Sequence, residues 1–183
     1  MTTPVDGIVR RDQCPRGAIV ESRFSVPNAE TLPRDPAWVF RYWEEKRNDR
    51  IGPAWGDFRL VDLPASLIPW SAVVDVEMES LDFVFRFFGT ARTVLHGKDF
   101  TGKSVLEVQP TTVTEKVFQE YQWVYENQAP LYIFNEGYSQ EDGDFRYEFL
   151  RLPLSSDGKA VDKIYAVGFS GDQPEAEVDY WRE

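Results

Sequence analysis

Polar and apolar residues alternate most clearly at Val74, Val76 and Met78 against Asp75, Glu77 and Glu79, the period of a half-buried strand. After a tight connection at Ser80–Asp82 comes Phe83-Val84-Phe85-Arg86-Phe87-Phe88, apolar on both faces and therefore expected to be covered on both. Together these runs predict a first hairpin. Short helical pieces follow over Thr90–His96 and Ser104–Val108, punctuated by Gly97 and Gly102. Thr112-Val113-Thr114-Glu115 then fits a capping box, in which hydroxyl and carboxylate each satisfy an orphan backbone donor. Val117, Phe118, Tyr121, Val124 and Tyr125 continue at helical spacing, and the helix has to stop before Pro130. Three further strand-like runs, Leu131–Tyr138, Phe145–Leu154 and Val161–Phe169, are separated by Asp142-Gly143 and Asp157-Gly158, dipeptides that tolerate the positive φ of hairpin turns. They predict an antiparallel meander.

Upstream the pattern is different. Residues 1–34 hold Pro4, Pro15, Pro27 and Pro33 among scattered charges and read as an extended arm, with Ile19, Val20 and Phe24 available for local packing. Asp35 as N-cap and Pro36 at the first helical position mark a helix over Pro36–Asn48, with Lys46 and Arg47 at the negative end of its dipole. Its apolar residues Trp38, Val39, Phe40, Tyr42 and Trp43 spread beyond one stripe. The expected organisation is an arm over 1–34, one domain over 35–170 and an acidic tail over 171–183. Two strands, several short helices leading to a longer one, then three strands define an α+β fold: a five-stranded antiparallel sheet with helices on one face, plus the N-terminal helix.

Composition narrows the partners. The chain has 183 residues, enough for one well-cored domain, and a net charge of −11. Residues 1–50 carry nine Lys/Arg against eight Asp/Glu, which leaves −12 for residues 51–183. An acidic domain repels a phosphate backbone, so nucleic acid is not an expected partner. The single cysteine, Cys14, can form neither an internal disulfide nor a thiolate metal site alone. No apolar run approaches eighteen residues and no signal-like start is present, so a cytoplasmic protein without a membrane partner is expected.

Several runs carry a family resemblance. They are the helix Phe40-Arg41-Tyr42-Trp43-Glu44, Asp62-Leu63-Pro64 before the first strand, Arg86-Phe87-Phe88-Gly89-Thr90 at the end of the second, Gly97-Lys98-Asp99-Phe100-Thr101-Gly102-Lys103, and Leu152-Pro153-Leu154-Ser155-Ser156-Asp157-Gly158 with Val161 and Ile164. Over Asp35 to Ser170 the chain resembles a bacterial family of small PAS-like proteins with an N-terminal Tyr-Trp helix. It departs from that pattern between Asn48 and Asp62, where Arg50-Ile51-Gly52-Pro53-Ala54-Trp55 replaces a basic, proline-containing connector. The resemblance implies the PAS fold and a sensory or regulatory role, with no single shared chemistry.

The candidate chemistry is sparse. His96 is the only histidine and sits before Gly97, where histidine commonly caps helix-end carbonyls. Haem is disfavoured because haem-binding PAS proteins place their histidine on the long helix, and covalent flavin because Cys14 lies in the arm; the cofactor is otherwise unknown. Glu141, Asp142 and Asp144 lack calcium-loop spacing and read as a solvated hairpin tip, so no metal is expected. Arg86 interrupts a phenylalanine-rich strand, with Asp75 opposite as a salt-bridge partner or a ligand as the alternative. Without a nucleophile, base and orienting group that His96 and Cys14 could complete, no enzyme activity is expected. The favoured reading is a sensory module with a cavity between the long helix and the sheet, holding a small apolar or anionic molecule near Arg86, Thr90, His96, Tyr121 and Tyr147. The alternatives are a ligand-free dimerisation or adaptor protein and a small α+β enzyme. The N-terminal helix is expected to form a homodimer through Trp38, Val39, Tyr42 and Trp43, and the signal to leave by contact with a protein partner.

Overall fold

The computed structural model describes residues 18–108, 111–139 and 143–170. Six strands form one sheet in which every neighbouring pair is antiparallel. In chain order the elements are β1 (Ala18–Ser25), α1 (Arg34–Arg47), β2 (Ser71–Glu77), β3 (Asp82–Phe88), α2 (Thr90–His96), α3 (Thr111–Asn127), β4 (Leu131–Ser139), β5 (Gly143–Leu154) and β6 (Lys163–Ser170). Across the sheet they run β1-β4-β5-β6-β2-β3, so the closing meander sits beside the first hairpin through the β6–β2 pairing.

Strand parity decides which helix each side chain meets. Val74, Phe83, Phe85, Ile133, Phe149, Ile164 and Ala166 face α2 and α3, together with Leu95, Tyr121 and Val124. Their sequence neighbours Val73, Leu150, Leu152, Tyr165 and Val167 face the other way, onto Val39, Phe40 and Trp43 of α1 and onto Phe58, Leu63 and Leu67. The sheet is thus covered on both faces, which is why Phe83–Phe88 and Phe149–Leu154 read as nearly continuous apolar runs. Trp43 anchors α1 by donating from Nε1 to the Pro153 carbonyl at 2.8 Å in a buried contact. Gly52 lies against the same carbonyl; a Cβ there would come within 2.1 Å of the Pro153 oxygen.

Three expectations are corrected. The sheet has six strands rather than five, because residues 18–25 of the expected arm pair with β4 from Ala18↔Tyr138 to Ser25↔Tyr132. Their apolar signal is short and bounded by Pro27, and the long-range pairing supplies what local pattern lacks. The first helix begins at Arg34 with Pro33 as N-cap and no side-chain cap, so Asp35 falls in the first turn and favours the dipole without closing the helix. The short helical piece expected over Ser104–Val108 is present as a 3-10 turn, Val105–Glu107, between Ser104 and Val108, with a capping box of Ser104 and Glu107. Val39 and Trp43 are 0% and 2% exposed within one chain, so they serve the core and not a dimer surface. The Thr112 hydroxyl of the expected capping box, the Asp142 turn, the carboxylates of Glu141 and Asp144, Cys14 and the tail from 171 lie outside the described side chains. No helix among the described residues is long and apolar enough to cross a membrane.

Candidate functional site

Where α3 lies over the sheet, the residue that ends β3 starts a change of direction. Gly89 donates its N–H to the Ser71 carbonyl at 2.9 Å, and a Cβ at that position would stand 2.1 Å from the Pro69 oxygen. Only glycine permits that approach, and it launches α2 from the sheet edge. The helix closes about two turns later at Gly97, whose φ of 67° is left-handed and whose N–H reaches the Val94 carbonyl.

This geometry turns Arg92 and His96 beneath α3. With Phe85, Phe88, Val105, Val108, Thr114, Val117, Tyr121, Phe149 and Arg151 they surround a cavity of about 30 Å³, the space of a water molecule or two. Its walls are mainly aromatic and aliphatic, with five polar side chains among them: Arg92, His96, Thr114, Tyr121 and Arg151. The Phe149 ring lies between the two arginines, with guanidinium carbons at 5.5 Å for Arg92 and 5.6 Å for Arg151. Gly168 makes room for that ring, since a Cβ there would meet Phe149 at 2.9 Å. Arg92 Nε donates to the Trp70 carbonyl at 2.8 Å.

Arg151 stands on β5 opposite Leu131 and Ala166, facing α3. It is 2% exposed, and its Nε and Nη2 both donate to Oε2 of Glu120, the former at 2.9 Å; Glu120 is itself 6% exposed. The guanidinium also covers the Tyr121 ring at 4.2 Å. Burial opposes its charge, but Glu120 and Tyr121 outweigh that and raise its pKa. His96 lies between the rings of Phe88 and Phe100, and burial, with a smaller contribution from Arg92, lowers its pKa to about 4. At neutral pH it is an uncharged imidazole that carries one donor and one acceptor.

The structure therefore brings His96 and Tyr121 to the cavity and leaves the other expected residues elsewhere. Arg86 points to the opposite side of the hairpin, where its Nε donates to Asp75 at 2.8 Å with 45% of its side chain exposed. Of the two partners expected for that arginine, the cross-strand salt bridge is the one present. Thr90 is exposed at the first position of α2. Tyr147 is buried beside Phe149 and does not line the cavity. His96 is no helix cap, because the Gly97 N–H closes the turn and the imidazole is turned inward. Arg92, Thr114 and Arg151 escaped the sequence reading. For Arg151 the available signal was a charged residue inside the apolar run Phe149–Leu154, the same signal that drew attention to Arg86.

An antiparallel sheet with short helices and one long helix gathered over a mainly apolar cavity is the architecture of a PAS domain. The chain belongs to the PAS domain family, whose model matches residues 34–168. No curated protein matches the sequence. Among solved structures, a VqmA–ligand–DNA complex from Vibrio cholerae is 18% identical, with 55% of this chain and 44% of that chain covered at a TM-score of 0.42. The Rhodobacter sphaeroides LOV protein is 14% identical, with 58% and 62% covered at a TM-score of 0.40. An RNA-binding light-oxygen-voltage receptor is 15% identical, with 92% and 43% covered at a TM-score of 0.47. The chain spans about half the length of the VqmA chain in complex with DPO, covering 51% of it. The assignment rests on the family match.

Proposed function

We propose that this chain is a PAS-type sensory module without catalytic activity of its own, and that the α2–α3 cavity is where it receives a small molecule. The observation that carries the reading is the convergence of Arg92, His96, Thr114, Tyr121 and Arg151 on one point of an otherwise apolar core. A core built for stability alone gains nothing from burying so many polar groups together, because each must be compensated when it leaves water. A recognition site needs this arrangement: apolar walls for affinity and a few placed donors for orientation. A ligand larger than a water or two enters by displacing the short turn around Val105–Val108 and the start of α3, which wall the cavity on one side. The acidic domain disfavours nucleic acid as a partner, and the proposed setting is the cytoplasm. Native mass spectrometry of protein purified from cells tests the reading. A retained small molecule, lost when Val117→Trp fills the cavity, supports it; a wild-type mass equal to the bare chain across growth conditions argues for the ligand-free adaptor.

The exposed rim of α1 favours a homodimer in addition. Trp38 is 41% exposed and stacks on Tyr42 with ring centroids 5.7 Å apart. Tyr42 in turn donates to Asp62 at 3.1 Å, beside Val61, which is 72% exposed. An apolar rim of this kind marks a contact surface. Light scattering at micromolar concentration is expected to give a dimer that Trp38→Glu dissociates without unfolding; a wild-type monomer would defeat it.

A further inference from the structure

One carboxylate of α3 stands near two cations, a buried one to which it is bonded and a partly buried one to which it is not. Glu120 gives Oε2 to Arg151, which lines the cavity. One helical turn earlier on α3 stands Lys116, whose ammonium is largely enclosed: burial lowers its pKa, attraction from Glu120 opposes the fall and repulsion from Arg151 adds to it. Lys116 Nζ donates to Ser22 Oγ at 2.6 Å and to Asn135 Oδ1 at 3.0 Å, and lies 5.7 Å from the Phe24 ring centroid. Ser22 also donates to Asn135 Oδ1 at 2.8 Å. Ser22 and Phe24 belong to β1, the last strand of the sheet, which has β4 as its one strand neighbour. Among the described side chains Lys116 is the polar tie from α3 to that edge strand, beside the apolar packing of Phe24, and it bonds there to neutral acceptors only.

We propose that β1 is a releasable strap whose hold reports the state of the cavity through Glu120, which is bonded to Arg151 and stands one helical turn from Lys116. When an occupant engages Arg151, Glu120 turns to Lys116, since a carboxylate outcompetes a hydroxyl and an amide oxygen for an ammonium. Lys116 then leaves Ser22 and Asn135, and β1 loses its polar tie to α3 while keeping its pairing to β4, the Arg23–Glu136 ion pair and the packing of Phe24. The pairing is already irregular, with a register shift between Ile19 and Glu21. This regulation rests on the cavity reading for its trigger, while its machinery consists of side chains already in place. It also gives the module an output at an exposed sheet edge, which a partner strand can join once β1 has left.

Hydrogen exchange on the ligand-free protein tests the coupling. Arg151→Met removes the competitor for Glu120, so amides of residues 18–25 are expected to exchange about tenfold faster, while those of β2 and β3 keep their protection. Lys116→Met should give the same acceleration directly, and the double variant no more than either single one. Should Arg151→Met not fold, Arg151→Lys, which keeps the charge and loses the fork, is expected to accelerate β1 to a smaller extent. Exchange of β1 at the wild-type rate when Arg151 is replaced, acceleration shared equally by β2 and β3, or additive effects in the double variant would each overturn the proposal. No ligand enters the experiment, so such a result removes the strap and leaves cavity binding standing.

Discussion

At the scale of single residues, backbone approach and buried charge set the strongest constraints. Gly89 has no room for a side chain, because the Pro69 carbonyl would stand 2.1 Å from its Cβ. Gly89→Ala is expected to cost about 3 kcal/mol in urea unfolding, as overpacking against rigid backbone does. This gives a physical reason for the Gly-Thr that ends the family-like run: the chain must pass the Pro69–Ser71 segment closely before α2 can begin. His96 sets the pH response of the cavity. Its folded pKa of about 4 lies below the ordinary value near 6.5, so the unfolded chain binds the proton more readily. The contribution of neutral His96 is complete above about pH 6.5 and is lost as pH falls toward 4 and below it. His96→Gln should flatten the dependence of the urea midpoint on pH between about 6.5 and 4; an unchanged slope would place the response elsewhere.

At the scale of elements, the two faces of the sheet have different roles. α1 covers one face and is fixed by Trp43, whose buried Nε1 bond to Pro153 is 2.8 Å long. Trp43→Phe removes the donor and part of the ring, and is expected to cost about 2 kcal/mol while leaving the cavity intact on the opposite face. A loss of cavity binding equal to the loss of stability would contradict this separation. Most of this arrangement is legible in the sequence. The alternation at Val74–Glu77, the helical spacing from Val117 to Tyr125 and the Asp157-Gly158 turn each state a local preference that the tertiary structure keeps, whereas Met78 falls in the turn after β2 and is exposed. β1 was not legible, because its apolar residues Ala18, Ile19, Val20 and Phe24 follow no clean alternation and the strand exists through pairing with β4, more than a hundred residues away. The spread of apolar residues on α1 was legible, but its cause was not. Periodicity tells that Val39 and Trp43 must be covered, and not whether the cover is a second chain or, as here, the same sheet. The cavity was readable in part: Tyr121 falls on the inward stripe of α3, whereas His96 needs the turn at Gly97 and Arg151 needs strand parity before its direction is known.

At the scale of the whole molecule, the PAS fold places the cavity between α2, α3 and one face of the sheet, while α1 covers the opposite face and β1 forms a sheet edge. The most direct measurement of the account is a fragment titration followed by amide chemical shifts, with benzoate and benzamide as small aromatic probes. The predicted result is a saturable shift for at least one probe, centred on Phe88, Arg92, His96, Val105 and Tyr121 and abolished by Val117→Trp. Shifts centred on the α1 rim instead, or shifts that persist unchanged in Val117→Trp, would contradict the assignment of this cavity as the sensory site.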